Sequence, residues 1–283
     1  MQGNEEARRI MATWNRESFR WPAPLAEPLG ELESRVLSDM YDAEVAYQDD
    51  YLGELLGVLN GRDRHHNTLT LIVADHGDGL GEHNFMGHAF VAYQELVHVP
   101  LLMQWPERIA RSDRVATPVS TRRVFHTLLD AAGCTDCGLD EANELTLLQT
   151  VNGRDPEQNT AYSEIYPPMN FVRVLENNAP DLLESFRCLA VRRAAVRGDD
   201  QQAARKLIQV DEQPDELFNL TLDPLELRDE LAQLPEETAV LHREIKRMAQ
   251  TAKIKREDWA AGTAVDLEDK QLQQQLRSLG YLD

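Results

Sequence analysis

The sequence predicts an α/β fold with a mainly parallel sheet, followed by a small C-terminal α+β part built on an antiparallel sheet. Three observations carry this expectation. The run LTLIVA at 69–74 is continuously apolar rather than alternating, as in a strand covered on both faces. Helical periodicity lies on either side of it, so that the chain reads helix, strand, loop, helix, strand, helix. Beyond about residue 150 the pattern changes to short strands separated by turns.

Each element has its own signal. The first 35 or so residues are mixed, and WPAPLAEP at 21–28 reads as a loop. Leu37, Met40, Tyr41, Val45, Leu52, Leu55, Leu56 and Leu59 then recur at three- and four-residue spacing, which predicts a helix. Asp39, Asp42, Asp49 and Asp50 occupy much of its other face, and Asn60-Gly61 stops it. The polar link RDRHHN leads to the strand at 69–74, and HVPLLMQW at 98–105 is a second strand. Between them Ala89–Leu96 can form a helix. Ser120 is expected to cap a further helix that runs through Leu128, Leu129 and Ala132 and ends at Gly133. AYSEIY, FRCLAVRRAAVRG and ARKLIQVDEQPDELFNL read as strands of the antiparallel sheet, and the charged tail from Pro235 reads as helix. The expected division is residues 1–165 for the α/β core part and 166–283 for the C-terminal subdomain.

Composition narrows the class. A chain of 283 residues removes about 75% of its unfolded surface from water on folding, enough for a sizeable core. The net charge is −20, and only five of the 29 basic residues are lysine. Such a surface repels nucleic acid and anionic membranes. It suits either a simply well-solvated protein or one adapted to high salt, where acidic self-repulsion is screened. Three cysteines argue against a disulfide framework. Cys134-Thr-Asp-Cys137 lacks the second pair that a zinc site would want and reads as two ordinary thiols in a turn. No stretch approaches the ~18 apolar residues of a membrane span. The start has no apolar signal region, so that as written the chain is expected to be cytoplasmic.

The chemistry concentrates in ADHGDGLGEHNFMGHAF, Ala74 to Phe90. In open α/β sheets ligands sit beyond the carboxyl ends of the strands, and Asp75 and His76 lie at such an end. A carboxylate beside a neutral imidazole is a metal-ligand pair. Gly77 and Gly79 let the chain turn sharply and let a ligand approach the backbone. Glu82, His83 and His88 return toward the same mouth, where an imidazole can bind an anionic ester or protonate a leaving oxygen. Spacing alone leaves a second reading open, with Asp75 capping the turn and the histidines ordinary surface or core residues. Two residues also cannot complete a site, because calcium takes about 6–8 oxygens and zinc about four ligands.

VADHGDGLGEHNFMGHAFVAYQELVHVPLLMQWP resembles the second signature region of the sulfatases, in the alkaline-phosphatase superfamily. The likeness extends upstream to YDAEVAYQDDYLGELLGVL and downstream to VSTRRVFHTLLDAAG. It continues through AYSEIY, the Asp-Pro-x-Glu segment in KLIQVDEQPDELFNLTLDPLELRDELA, and LRSLGYLD. It thus covers about 37 to 283 in order, with a composition like that of a haloarchaeal member. The resemblance implies a partial sulfatase core that hydrolyses a sulfate ester of a small molecule or glycan with one divalent metal. Asp75 and His76 would be metal ligands, for Ca²⁺ first, with Zn²⁺ or Mn²⁺ as alternatives. His88 stands where many members have lysine and would contact the sulfate or the leaving oxygen. His83 and Glu82 would shape the site, with His83 counted among the catalytic residues.

The sequence also departs from the family. The nucleophile there is a formylglycine made from Cys/Ser-x-Pro-x-Arg, and none of the three cysteines here stands in that motif. The acidic pair of the first strand and the mid-domain histidine are missing too. The chain is therefore expected to be the C-terminal half of a sulfatase, inactive alone, with a separately encoded N-terminal half as a partner. Export would then depend on a signal carried by that half. Two alternatives are a metal-dependent phosphodiesterase or phosphatase of the same superfamily, and a non-catalytic metal-binding or partner module.

Overall fold

Short apolar anchors, rather than one long hydrophobic run, organise the chain. In the computed structural model residues 2–17, 20–21, 23–61, 65–110, 113–134, 144–199 and 202–262 are described. The mixed N-terminal stretch contains a helix the periodicity did not predict, α1 (Gln2–Arg16). Three apolar side chains hold it: Ile10, Met11 and a fully buried Trp14 pack with Leu25, Leu37 and Met86. The Trp14 indole donates to Glu33 at 2.5 Å, and the Arg20 guanidinium lies 4.3 Å from its ring. The expected loop follows. Pro24 cannot donate a hydrogen bond, so its neighbours make the contacts: Leu25 N donates to Asn84 O and Met86 N to Ala23 O.

Helix α2 (Glu31–Asn60) ends at Gly61 as anticipated. Only Val36 and Leu37 on it are buried. Met40, Tyr41, Val45, Leu55 and Val58 of its apolar face are exposed, while Leu52, Leu56 and Leu59 are half-buried. Strands β1 (Thr70–Val73), β2 (Gly79–Leu80) and β3 (Met86–Gly87), the short helix α3 (Gln94–Val97) and β4 (Leu101–Gln104) follow. The helix anticipated over Ala89–Leu96 is thus reduced to four residues at its C-terminal end. β2 and β3 pair with each other as a small ribbon.

Within this α/β fold, the pairing of β1 among the described residues departs from the mainly parallel sheet expected. β1 pairs with β4 antiparallel, from Thr70↔Gln104 to Val73↔Leu101. A parallel neighbour would need a crossover that carries the chain back to the start of β1. The connection at 74–100 holds only a ribbon and a four-residue helix, and it stays at the end where β1 finishes. β1 is also less covered than its apolar run implied, and Val73 and Leu102 are exposed.

Helix α4 (Arg123–Ala131) starts later than expected, and Ser120 does not cap it with its side chain. Its backbone carbonyl accepts from Arg123 N, while its hydroxyl accepts from Tyr162 N at 2.9 Å. Helix α5 (Leu147–Val151) and strand β5 (Thr160–Ile165) follow. Then come α6 (Met169–Asn178), α7 (Pro180–Ser185), β6 (Arg192–Asp199), β7 (Gln202–Val210), β8 (Glu216–Asn219) and α8 (Pro235–Gly262). The anticipated antiparallel sheet is four-stranded, in the order β5-β6-β7-β8. The chain divides into two compact units, Met1–Leu241 and His242–Asp283, and the site lies in the first. Cys134 is disulfide-bonded rather than an ordinary thiol. Cys137 lies outside the described residues.

Two cores position the site. Phe85, Phe90, Val91 and Leu96 of the β1–β4 connection pack with Val172, Leu175 and Cys188 of the α6–α7 region. Ala92 packs with Ala194, Ile208 and Phe218 of the antiparallel sheet. Fully burying an aromatic or aliphatic side chain contributes about 1.5–3 kcal/mol, so this connection is an anchored element and not a free loop.

Arg123 is the main charged support of the α4 region. It is fully buried and donates to Asp155 at 2.6 Å, to Thr150 and to the carbonyls of Leu145 and Thr146. Removing one partner of a buried pair strands the other charge, at about 3–5 kcal/mol. Arg123→Ala should lower the urea unfolding free energy by about that amount. A change below 1 kcal/mol would show that the network is dispensable.

Candidate active site at the end of strand β1

The last rung of the β1–β4 ladder is Ala74 N to Pro100 O, after which the chain leaves the sheet. Asp75 is the first residue beyond it. Its carboxylate is almost wholly solvent-exposed and accepts from His76 N at 3.0 Å. That amide, then the nearby His76 imidazole, holds the Asp75 carboxyl below its ordinary range. Asp75 is thus an ionised carboxylate at the mouth.

His76 turns its Nδ1 onto Gly77 O at 2.9 Å. A carbonyl only accepts, so Nδ1 carries the proton and Nε2 presents a lone pair. Nε2 lies 3.8 Å from Asp75 Oδ2. His88 arrives from the far side of the β2–β3 ribbon and stacks on His76, with ring centroids 4.3 Å apart. Its Nδ1 lies 2.8 Å from Asp78 Oδ1. A carboxylate likewise only accepts, so the proton sits on Nδ1 and Nε2 presents a lone pair. His76, Asp78 and His88 each offer a ligating atom within 4.8 Å of the other two.

Gly77 is required, though not to admit a ligand. A Cβ there would sit 2.0 Å from Glu95 O, and Gly77 N donates to Leu96 O. The backbone of α3 lies directly on this residue. Glu82 closes the ribbon by accepting from Leu80 N at 2.6 Å.

His83 sits apart from this mouth. It adopts a left-handed backbone, φ 51°, and stacks on Tyr93 at 3.6 Å. Its Nδ1 lies 2.8 Å from Glu95 Oε1 and its Nε2 3.2 Å from Glu226 O. Both nitrogens are therefore engaged inward. Burial pushes the His83 pKa down, but the hydrogen bond and charge of Glu95, and then Glu226, outweigh it and leave the pKa raised. Glu226 in turn accepts from Gln94 N and pairs with Lys206 at 2.7 Å, both side chains fully buried. Lys206 Nζ also donates to Gln94 Oε1. Tyr93 donates to Glu216, and burial together with that carboxylate raises its phenol far above the ordinary range.

The structure therefore brings Asp75, His76 and His88 to one mouth, while His83 is engaged with Tyr93, Glu95 and Glu226 instead. Sequence reading missed Asp78, which stands two residues after His76 in an H-x-D spacing that could have marked it. It also missed Glu95, Lys206 and Glu226. Glu226 is the acid of the quoted Asp-Pro-x-Glu segment, which was the available signal.

The open end of β1 thus delivers an adjacent carboxylate and imidazole to solvent, at the place where open α/β sheets bind ligands. Residues 8–134 match the Sulfatase family model. Arylsulfatase K of Danio rerio is 28% identical over 209 residues, covering 73% of this chain and 36% of the relative. Choline-sulfatase of Rhizobium meliloti (strain 1021) is 30% identical over 200 residues, covering 69% of this chain and 33% of the relative. The solved structure of a protein bound to its substrate D-glucosamine-2-N,6-O-disulfate has the same fold, with a TM-score of 0.57 and 19% identity. That likeness covers 87% of this chain and 45% of the other. The chain belongs to the sulfatase family. It spans about a third of the length of these curated relatives. No helix among the described residues is long and apolar enough to cross a membrane.

Two outcomes follow from the packing around Gly77 and His83. Gly77→Ala should destabilise by about 1–3 kcal/mol through overpacking against α3, seen as a lower thermal midpoint. A group whose folded pKa is raised stabilises below its unfolded pKa and loses that contribution as pH rises through the folded value. For His83 the loss should therefore come as pH rises above roughly 6.5. His83→Gln should flatten this part of the stability profile. An unchanged slope in denaturant midpoints across that window would remove His83 from the linkage.

Proposed function

We propose that this chain supplies the metal-binding and leaving-group side of a sulfatase site that hydrolyses a sulfate monoester of a small molecule or glycan. The observation that carries the reading is the grouping of Asp75, His76 and His88 at the end of β1, within the segment that matches the family. The relatives' names, arylsulfatase and choline-sulfatase, and the aminosugar disulfate of the solved structure support a sulfate ester of either size.

The residues divide the work. Asp75 and His76 would hold a divalent cation, Ca²⁺ by resemblance with Zn²⁺ or Mn²⁺ as alternatives. An exposed, ionised carboxylate and a bare imidazole nitrogen suit such an ion. When bound, the ion would draw negative charge from the sulfate oxygens. His88, held by Asp78 through Nδ1, stands at the mouth and as its imidazolium would donate the Nε2 proton to the departing alkoxide oxygen. His83 would act through its hydrogen bonds to Glu95 and Glu226, keeping α3 and the ribbon in place.

The attacking group is not among these 283 residues, which contain no Cys/Ser-x-Pro-x-Arg sequence. In this proposal it comes from a polypeptide that covers the exposed apolar side chains of α2, β1, β4 and α4. Phe125 and Leu128 of α4 are half exposed, as are Leu102 and the α2 stripe. Apolar area of this kind usually marks an interaction surface.

Residues 1–283 alone should not turn over 4-nitrophenyl sulfate. Co-expression with a formylglycine-bearing sulfatase N-terminal half should produce hydrolysis. In that assembly His88→Ala should lower kcat by about 10²–10⁴-fold, the range for a positioned general acid. Robust metal-dependent hydrolysis by the isolated chain would overturn the assignment of the nucleophile to a second polypeptide.

A further inference from the structure

We infer that His83 is an imidazolium latch, a side chain that carries both ring protons and thereby ties helix α3 to the segment after β8. Each ring nitrogen faces a group that can only accept. Nδ1 lies 2.8 Å from the Glu95 carboxylate, and Nε2 lies 3.2 Å from the Glu226 carbonyl. A neutral imidazole has one N–H, so it would set a lone pair against one of these two oxygens. Only the doubly protonated ring satisfies both contacts. His83 is also the one cation within ion-pair distance of Glu95 among the described residues, and both side chains are largely buried. A carboxylate so enclosed needs a paired charge.

The neighbours are arranged to keep that proton. The groups facing the ring are Glu95 from α3, Tyr93 just before it and Glu226 from the segment after β8. Lys206 of β7 is spent on Glu226 Oε1 at 2.7 Å, and the Tyr93 hydroxyl on Glu216 of β8. Glu82, beside His83 in the chain, accepts from Leu80 N. Burial pulls the imidazole towards its neutral form, and Glu95, then Glu226, reverse that pull.

The latch reaches the mouth through the backbone. His83 and Asn84 both hold left-handed conformations, φ 51° and 58°, which persist only where the surroundings fix them. Glu95, gripped by its carboxylate, sets its carbonyl oxygen against Gly77, where a Cβ would stand 2.0 Å away. Gly77 N donates to Leu96 O. Glu226 holds the same helix from the other partner, its carboxylate accepting from Gln94 N. His83 is thus a positioning residue for the turn that presents Asp75 and His76. When it loses a proton, the remaining N–H stays with the carboxylate, the stronger acceptor, and the contact from Nε2 to Glu226 is given up. The latch is closed at low pH and opens as pH rises through the folded pKa, the sign expected where folding raises a pKa. That the turn serves a cation site rests on the sulfatase reading, whereas the latch rests on the geometry.

The test is ¹⁵N NMR of the full 283-residue chain labelled at histidine, with His83→Gln to assign the signal. The His83 midpoint should lie above the roughly 6.5 of a free imidazole, with both nitrogens protonated below it and the remaining proton on Nδ1 above it. Glu95→Gln should move the midpoint down, because the paired carboxylate is gone. The Gly77 and Gln94 amides, corrected for intrinsic exchange rates, should lose protection across the same midpoint in the parent chain and show no such step in His83→Gln. Circular dichroism separates loss of the latch from loss of the fold, and Glu95→Gln tests the midpoint independently of His83→Gln. A midpoint at or below 6.5, or one that a folded Glu95→Gln leaves in place, would overturn the latch. So would amide protection that follows pH identically in the parent and His83→Gln. Neither readout involves hydrolysis, so the outcome stands apart from that of the sulfatase reading.

Discussion

The ion pair between Lys206 and Glu226 joins the antiparallel sheet to the segment that carries the site. Both side chains are fully buried, 2.7 Å apart. Burial works against both charges, lowering the lysine pKa and raising that of the glutamate. Isolated, either charge would be costly, by several kcal/mol per ion. The pair survives because neighbouring dipoles complete it. Gln94 donates its backbone N–H to Glu226 and accepts from Lys206 through its side chain. Glu226 also turns its own carbonyl to His83 from a left-handed backbone, φ 53°. One salt bridge thus fixes the start of α3, the ring of His83 and the segment after β8 together.

That arrangement explains why a short connection can hold a rigid mouth. Residues 74–100 contain little regular structure, and most of their order comes from outside. The α6–α7 core holds Phe85 and Phe90, the sheet holds Ala92, and Glu226 holds Gln94. Gly77 then lets the α3 backbone press against the turn that aims Asp75 and His76. The helices of the 166–190 stretch share this core, so a change of sequence there reaches the mouth through packing.

The surface around the mouth has a different character. The β1–β4 pair and the stripe of α2 expose large apolar side chains, in a chain whose net charge is otherwise −20. Solvent-facing apolar groups on a helix thirty residues long contribute nothing to this unit's own core. Apolar surface of this extent usually marks an interaction site.

Much of this was legible in the sequence, and the boundary has a physical cause. The α2 periodicity, the Gly61 stop, the strands at 70–73 and 101–104, the antiparallel C-terminal sheet and the Asp75–His76 pair all rest on neighbours close in the chain. Local propensity and patterning determine such features, and the sequence by itself determined them. Helix α1 escaped because three apolar anchors in a charged stretch make a weak pattern. The antiparallel β1–β4 pairing depended on where a 27-residue connection travels, which no local pattern encodes. Likewise the inward turn of His83, the Asp78–His88 contact and the Lys206–Glu226 pair join residues 10 to 143 positions apart. Only the tertiary structure decided these, because the strength of a charge or a hydrogen bond is set by what folding buries around it.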